Sequence, residues 1–148
     1  MKRCRLIYRS IADEAFLRPG SLQEMVNMAS ESNQLAGITG VLVLSGDHFL
    51  QCLEGPTKFV NELYGKIIQD PRHRQVELIH YAEVTGTSFY DWGMKILRLD
   101  ESLPPSIRQS LISKYSESEG IIPITRELVQ IHSLLVDARW GLTYKEPS

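Results

Sequence analysis

From Arg3 to Arg9 the chain alternates, with Cys4, Leu6 and Tyr8 on one side of the period and Arg3, Arg5 and Arg9 on the other. That pattern predicts a strand with one buried face. Pro19-Gly20 interrupts it, and Ser21 with Glu24 three residues on forms a capping box ahead of Leu22, Met25, Val26 and Ala29 at helical spacing. A first helix ending near Gly37 is expected. The β-branched run Ile38 to Leu44, the turn Ser45-Gly46-Asp47 and the strand-like run His48 to Leu53 read as a hairpin. Past Gly55-Pro56, the residues Phe59, Val60, Leu63, Tyr64, Ile67 and Ile68 form the stripe of a second helix, which stops at Asp70-Pro71. Val76, Leu78, His80, Ala82 and Val84 alternate with Glu77, Ile79, Tyr81 and Glu83, and Trp92, Met94 and Ile96 share one face of a later run. These are strands four and five.

The order βαββαββ predicts an α+β, ferredoxin-like sheet with two helices on one face, in which strand three returns between strands one and two. The polar segment Asp100 to Pro105 is a boundary, so the chain divides into a domain at 1–99 and a C-terminal helical segment at 100–148. Two helices are expected there, one on Ile107, Leu111 and Tyr115, the other on Ile124, Leu128, Ile131, Leu135 and Ala138. The second has a heptad-like seam suited to another helix or a partner.

Composition narrows the function classes. The 148 residues are 43% hydrophobic and 23% charged, with a formal net charge of -2, which fits one globular domain and argues against nucleic acid as a partner. No apolar stretch approaches the roughly 18 to 20 residues of a membrane span, and the basic start Met1-Lys2-Arg3, with Arg5 and Arg9, precedes any signal-peptide core. A cytoplasmic protein that does not engage membranes is expected. Cys4 and Cys52 read as free, buried thiols. The chain lacks a nucleophile elbow, a phosphate loop and a dinucleotide turn, and His48, His73, His80 and His132 are scattered, so neither turnover chemistry nor a metal site is expected. Gly37-Ile38-Thr39-Gly40 has the spelling of an RNA-clamping GXXG loop without its basic residues.

Polar residues fall where the pattern wants apolar ones. Gln51 lies between Phe49 and Leu53 on one face of strand three, where an unpartnered amide would cost about 1 to 3 kcal/mol. The phenol of Tyr8, on the neighbouring strand, is a plausible partner, and a purely structural Tyr–Gln bond remains the alternative. Asn33, four residues after Ala29, turns its amide toward the sheet if the helix persists, or else serves as a helix-end residue. Trp92 and Met94 share a strand face where plain core packing is also possible.

Arg5-Leu6-Ile7-Tyr8, Asn33 followed by Gly37-Ile38-Thr39-Gly40, Phe49-Leu50-Gln51-Cys52-Leu53-Glu54-Gly55, Asp70-Pro71-Arg72-His73 and Trp92-Gly93-Met94 occur in this order from Arg5 to about Leu99. In sequence and spacing they resemble the BLUF family, blue-light sensors that use FAD. The resemblance implies that Tyr8 is the light-driven electron and proton donor to the flavin and that Gln51 bridges it to the ring. Asn33 would hydrogen-bond the ring's polar edge, and Met25 and Val26 would pack on the ring. Lys66, Arg72 and His73 would lie on the phosphate side, and Trp92 and Met94 would relay the signal. Absorbance would shift slightly red in light and recover thermally. The chain departs from the family pattern at Ser32, Gly93 and Lys66.

A short member of this family would act without turnover, through homo-oligomers and a downstream signalling protein. Two alternatives stay open: a light-insensitive interaction module of the same fold, and a small hydrolase of the acylphosphatase kind, for which Ser10 to Arg18 lacks the glycine-rich phosphate cradle.

Overall fold

The computed structural model describes residues 2–14, 18, 20–85, 94–98, 105–115 and 133. The alternation at the start of the chain becomes β1 (Arg3–Ala12), followed by α1 (Ser21–Ala36), β2 (Thr39–Ser45), β3 (His48–Pro56) and α2 (Thr57–Gln69). β4 (His73–Val84), β5 (Met94–Arg98) and α3 (Pro105–Tyr115) complete the order. The strands form one sheet in the order β4-β1-β3-β2-β5, so the third strand does return between the first two. β5 joins parallel to β2, and the other neighbours are antiparallel. The second expected C-terminal helix with its seam, and Trp92, lie outside the described residues.

The start of α1 differs from the capping-box expectation. Ser21 is the first helical residue, Gly20 before it takes the N-cap position at φ 83°, and no side chain caps the helix. A serine inside the first turn cannot reach the free N–H groups as the flanking residue does. Glu24 instead closes the turn by donating its backbone N–H to the Gly20 carbonyl at 3.0 Å. At the other end Gly37, at φ 73°, reverses the chain, and Ile38 donates its N–H to the Asn33 carbonyl at 2.8 Å. In α2 the stripe closes on the sheet through fully buried Val60, while Phe59 and Ile68 at its margins are exposed.

β2 is buried on both faces, which explains why Ile38 to Leu44 reads as a continuous run rather than an alternation. Toward the helices Cys4, Leu6, Tyr8 and Ala12 join Leu42, Leu44, Phe49, Leu53 and Val60 in one core. On the opposite face Ile7, Val41, Val43, Leu50 and Cys52 are also buried. The two cysteines are free and buried. Arg5 and Glu54, register partners on β1 and β3, form an ion pair at 2.6 Å on that opposite face, with Glu54 buried. Gly40 has a local cause: a Cβ there would lie 2.5 Å from the Cys52 carbonyl oxygen. The glycine of the GXXG spelling therefore serves the approach of β2 to β3.

β4 is irregular. Its pairing with β1 slips between Ile7 and Tyr8, leaving Ile79 over, and again between Arg9 and Ile11, where Gln75 and Val76 face Ser10. At the second slip Gln75 takes φ 52°, the left-handed conformation that a side chain disfavours. Gln75→Gly is expected to stabilise the fold by about 0.5 kcal/mol, the relieved strain exceeding the added freedom of the unfolded chain. A urea midpoint that falls would contradict this.

Candidate functional site

Tyr8 and Gln51 are directly opposed across β1 and β3. The Tyr8 hydroxyl donates to Gln51 Oε1, and both side chains are buried. Strand pairing brings together residues 43 apart in sequence, so the backbone ladder itself sets this bond. Burial pushes the Tyr8 phenol far above its ordinary range, with smaller contributions from Tyr64 and Asp70. It stays protonated at any physiological pH and acts as a hydrogen-bond donor. Its ring packs against Tyr64 of α2 at 5.6 Å between centroids and edge-on to His73 at 6.0 Å.

Asn33 on the last turns of α1 is 3% exposed. Its side-chain Nδ2 has no hydrogen-bond acceptor among the described residues, a state that costs about 1 to 3 kcal/mol unless something else accepts. The amide lies on the wall of a cleft of about 490 Å³ between α1 and α2, a volume typical of small-molecule and cofactor sites. Met25, Met28, Ala29 and Ser32 form the α1 wall, Leu42 and Gln51 the floor, and Leu63, Lys66 and Ile67 the α2 wall. Asp70, Arg72 and His73 close it where the chain enters β4.

That polar end is organised by Asp70. Arg72 donates to it from Nη2 at 2.7 Å and from Nε at 3.0 Å, and the Arg72 backbone N–H adds a bond at 2.9 Å. These bonds hold the Asp70 carboxyl below the usual carboxylate range and raise the guanidinium. His73 Nδ1 lies 2.8 Å from the hydroxyl of buried Ser10, a hydrogen bond whose donor follows the imidazole tautomer. Burial lowers the His73 pKa below 6.5, against the pull of Asp70 and with the help of Arg72.

The unfolded chain therefore binds a proton at His73 more readily than the folded one. The stability this gives is present above about pH 6.5 and is lost as pH falls through the lower folded value. Urea midpoints are expected to drop from pH 7 to pH 5, with a shallower drop in His73→Gln. Identical slopes would show that His73 does not titrate differently on folding.

The residues singled out in the sequence mostly converge. Met25, Asn33, Gln51, Lys66, Arg72 and His73 line the cleft, and Tyr8 stands one hydrogen bond behind Gln51. Val26 lies next to Met25 in α1, Met94 opens β5 opposite Gly40, and Trp92 is outside the described residues. Three participants escaped the sequence reading. Asp70 counted as a helix stop and as part of the string Asp70-Pro71-Arg72-His73, without a role in the site, although an aspartate two residues before an arginine is a signal for the pairing seen. Tyr64 counted as a core residue, and Ser10 bore no mark.

The cleft suits a flat heteroaromatic group with carbonyl edges, because apolar walls face each other and the orphaned Asn33 donor and the Gln51 amide border it. Lys66 adds a positive charge on the α2 wall, and the Arg72 guanidinium at the closed end is paired with the Asp70 carboxylate. FAD combines these features, so the donor set fits a flavin cofactor.

Comparisons with known proteins agree. The model of the BLUF family, "Sensors of blue-light using FAD", matches residues 4–95. The "Blue light- and temperature-regulated antirepressor BluF" of Escherichia coli (strain K12) is 38% identical over 99 residues, 65% of this chain and 24% of that protein. "Photoactivated adenylate cyclase subunit beta" of Euglena gracilis is 34% identical over 82 residues, 55% of this chain and 10% of that protein. The chain thus spans about a quarter or less of the length of these relatives. Among solved structures, "BlsA ground state" superposes with a TM-score of 0.71 at 25% identity, covering 99% of this chain and 91% of the other. "BlrP1 BLUF" gives 0.65 at 28% identity, covering 100% and 97%. With fold, site and a family match over most of its length, the chain belongs to the BLUF family, the sensors of blue light using FAD.

Proposed function

We propose that this chain is a blue-light photoreceptor that holds FAD noncovalently between α1 and α2 and signals by rearranging one amide, that of Gln51. The observation that carries this reading is the buried Tyr8–Gln51 hydrogen bond beside a cleft whose wall holds the unsatisfied Asn33 amide. Asn33 and Gln51 would bond the ring, Met25 and Val26 would pack on it, and Lys66, Arg72 and His73 would face the phosphates. When bound, the flavin supplies absorption of blue light and an oxidant for Tyr8.

The protein's own part follows from burial. A cationic phenol in a buried site is costly, so Tyr8 releases its electron together with its proton, and the route open to the proton is the hydrogen bond to Gln51 Oε1. An amide that has taken part in that transfer no longer accepts from Tyr8 as before, and it settles with a changed set of donors toward the cleft. Leu42 is in register with Gln51 on one side and with Ile96 of β5 on the other. β5 carries Met94 and follows Trp92, so the altered amide biases the strand that leads out of the domain.

Residues 1–99 are then the sensing domain and residues 100–148 a helical cap and output segment. Output is by protein contact in the cytoplasm, through copies of the chain and a downstream partner, with no turnover, nucleic acid or membrane involved. The antirepressor name of the Escherichia coli relative supports signalling of this kind. No helix among the described residues is long and apolar enough to cross a membrane.

A light-minus-dark absorbance spectrum, with the flavin extracted and identified, tests the proposal. A reversible red shift with FAD released is the expected result. A chain that stays colourless after reconstitution would overturn it in favour of the light-insensitive interaction module.

A further inference from the structure

We propose that Tyr64 is a redox relay for Tyr8, re-reducing it after oxidation and carrying the electron vacancy out to a partly exposed ring of α2. This inference rests on the reading of Tyr8 as the light-driven donor.

The two rings are in contact, 5.6 Å between centroids and tilted by 45°, with no other residue needed to connect them. Their surroundings differ. Tyr8 is completely buried, and its hydroxyl donates to an amide oxygen, a weak base. Tyr64 is half-buried, and it stands apart from the cleft wall that α2 builds with Leu63, Lys66 and Ile67. Its ring is partly exposed, so its phenolic proton passes to bulk water and is solvated there, whereas a proton left on Gln51 is a buried and costly cation. The vacancy is therefore more stable on Tyr64 than on Tyr8.

The step balances. Oxidised Tyr8 has given one electron to the photoexcited flavin and its proton to Gln51, leaving a neutral phenoxyl. Tyr64 gives one electron to that phenoxyl and its own O–H proton to water. Tyr8 recovers a proton from Gln51 and becomes a phenol again. The vacancy now sits on Tyr64, away from Gln51, and the amide has lost the proton that would have driven its rearrangement. Tyr64 thus opens a path that competes with signalling and places a radical where solvent reaches it.

The test illuminates the full, flavin-loaded chain with a nitroso spin trap and locates the trapped residue by peptide mass, while the red shift is recorded in parallel. An adduct on Tyr64 is expected in the wild-type chain and is lost in Tyr8→Phe, where the entry point for the vacancy is gone. In Tyr64→Phe, which keeps the ring packing, the adduct disappears and more red-shifted state forms per absorbed photon. The relay is overturned by a wild-type chain that shifts red without an adduct on Tyr64. An adduct that survives in Tyr8→Phe, or a yield that does not rise in Tyr64→Phe, overturns it equally. A wild-type chain with no red shift is a different result, which removes the photoreceptor reading and the relay together.

Discussion

Gln51→Leu is expected to abolish the light-induced red shift completely while leaving a folded chain that still binds FAD. Leucine matches glutamine in size and has no polar atom to exchange hydrogen bonds, and position 51 is only 6% exposed between Phe49 and Leu53. The Tyr8 hydroxyl loses its acceptor in a buried setting, at a cost of about 1 to 3 kcal/mol. Burying a leucine side chain returns about 1.5 to 3 kcal/mol, so the two nearly cancel and the fold survives. What cannot survive is the proton route, because among the described residues Gln51 Oε1 is the acceptor of the Tyr8 hydroxyl. Spectra of the variant loaded with FAD, alongside its thermal midpoint, check both halves. Any residual red shift of the wild-type size would mean that the signal does not run through this amide.

Asn33→Leu should move two properties in opposite directions. In the flavin-free chain it removes a buried donor with no acceptor among the described residues, relieving a penalty of about 1 to 3 kcal/mol. It also places a better helix former in α1. The backbone carbonyl of Asn33, which accepts from Ile38, is untouched. The thermal midpoint of the flavin-free variant is expected to rise by roughly 2 to 12 °C. FAD affinity is expected to fall by about 5- to 150-fold, the equivalent of one lost buried hydrogen bond. Titration of the flavin-free chains with FAD measures the second effect. A lower midpoint without flavin would show that the protein already satisfies the amide, and the cleft would lose its main mark as a flavin site.

Much of this arrangement was legible in the sequence because its signals are local and periodic. Tyr8 belongs to an alternation, and Gln51 interrupts an apolar face two strands later; the split βαβ order alone makes those strands neighbours, as the register of Tyr8 opposite Gln51 confirms. Asn33 could be aimed at the sheet from helical spacing, and its burial agrees. Other features depend on distances that no periodicity encodes. Ser21 and Glu24 spell a capping box, but the turn at Gly20 starts the helix one residue too early for Ser21 to cap it. The slips in β4 leave no trace in a run that alternates cleanly on paper. Asp70 and Tyr64 were assigned to a helix stop and a core stripe, and their further roles come from what tertiary packing sets beside them. For Trp92 and the second C-terminal helix the sequence expectation stands by itself.

The two slips in β4 bear on how copies of this chain can meet. Among the described strands β4 lies at an edge of the sheet, long and bearing exposed Leu78 and Tyr81, a combination that in a flat strand is a template for strand addition and aggregation. Each surplus residue shifts the register of the residues that follow, and at the second slip Gln75 adds a left-handed turn of the backbone. An incoming strand keeps register for only a few residues before its hydrogen bonds fail, and Arg74, Glu77 and Glu83 add charge along the same strand. Sheet-to-sheet continuation through β4 is thereby disfavoured, which turns strand addition away from this edge.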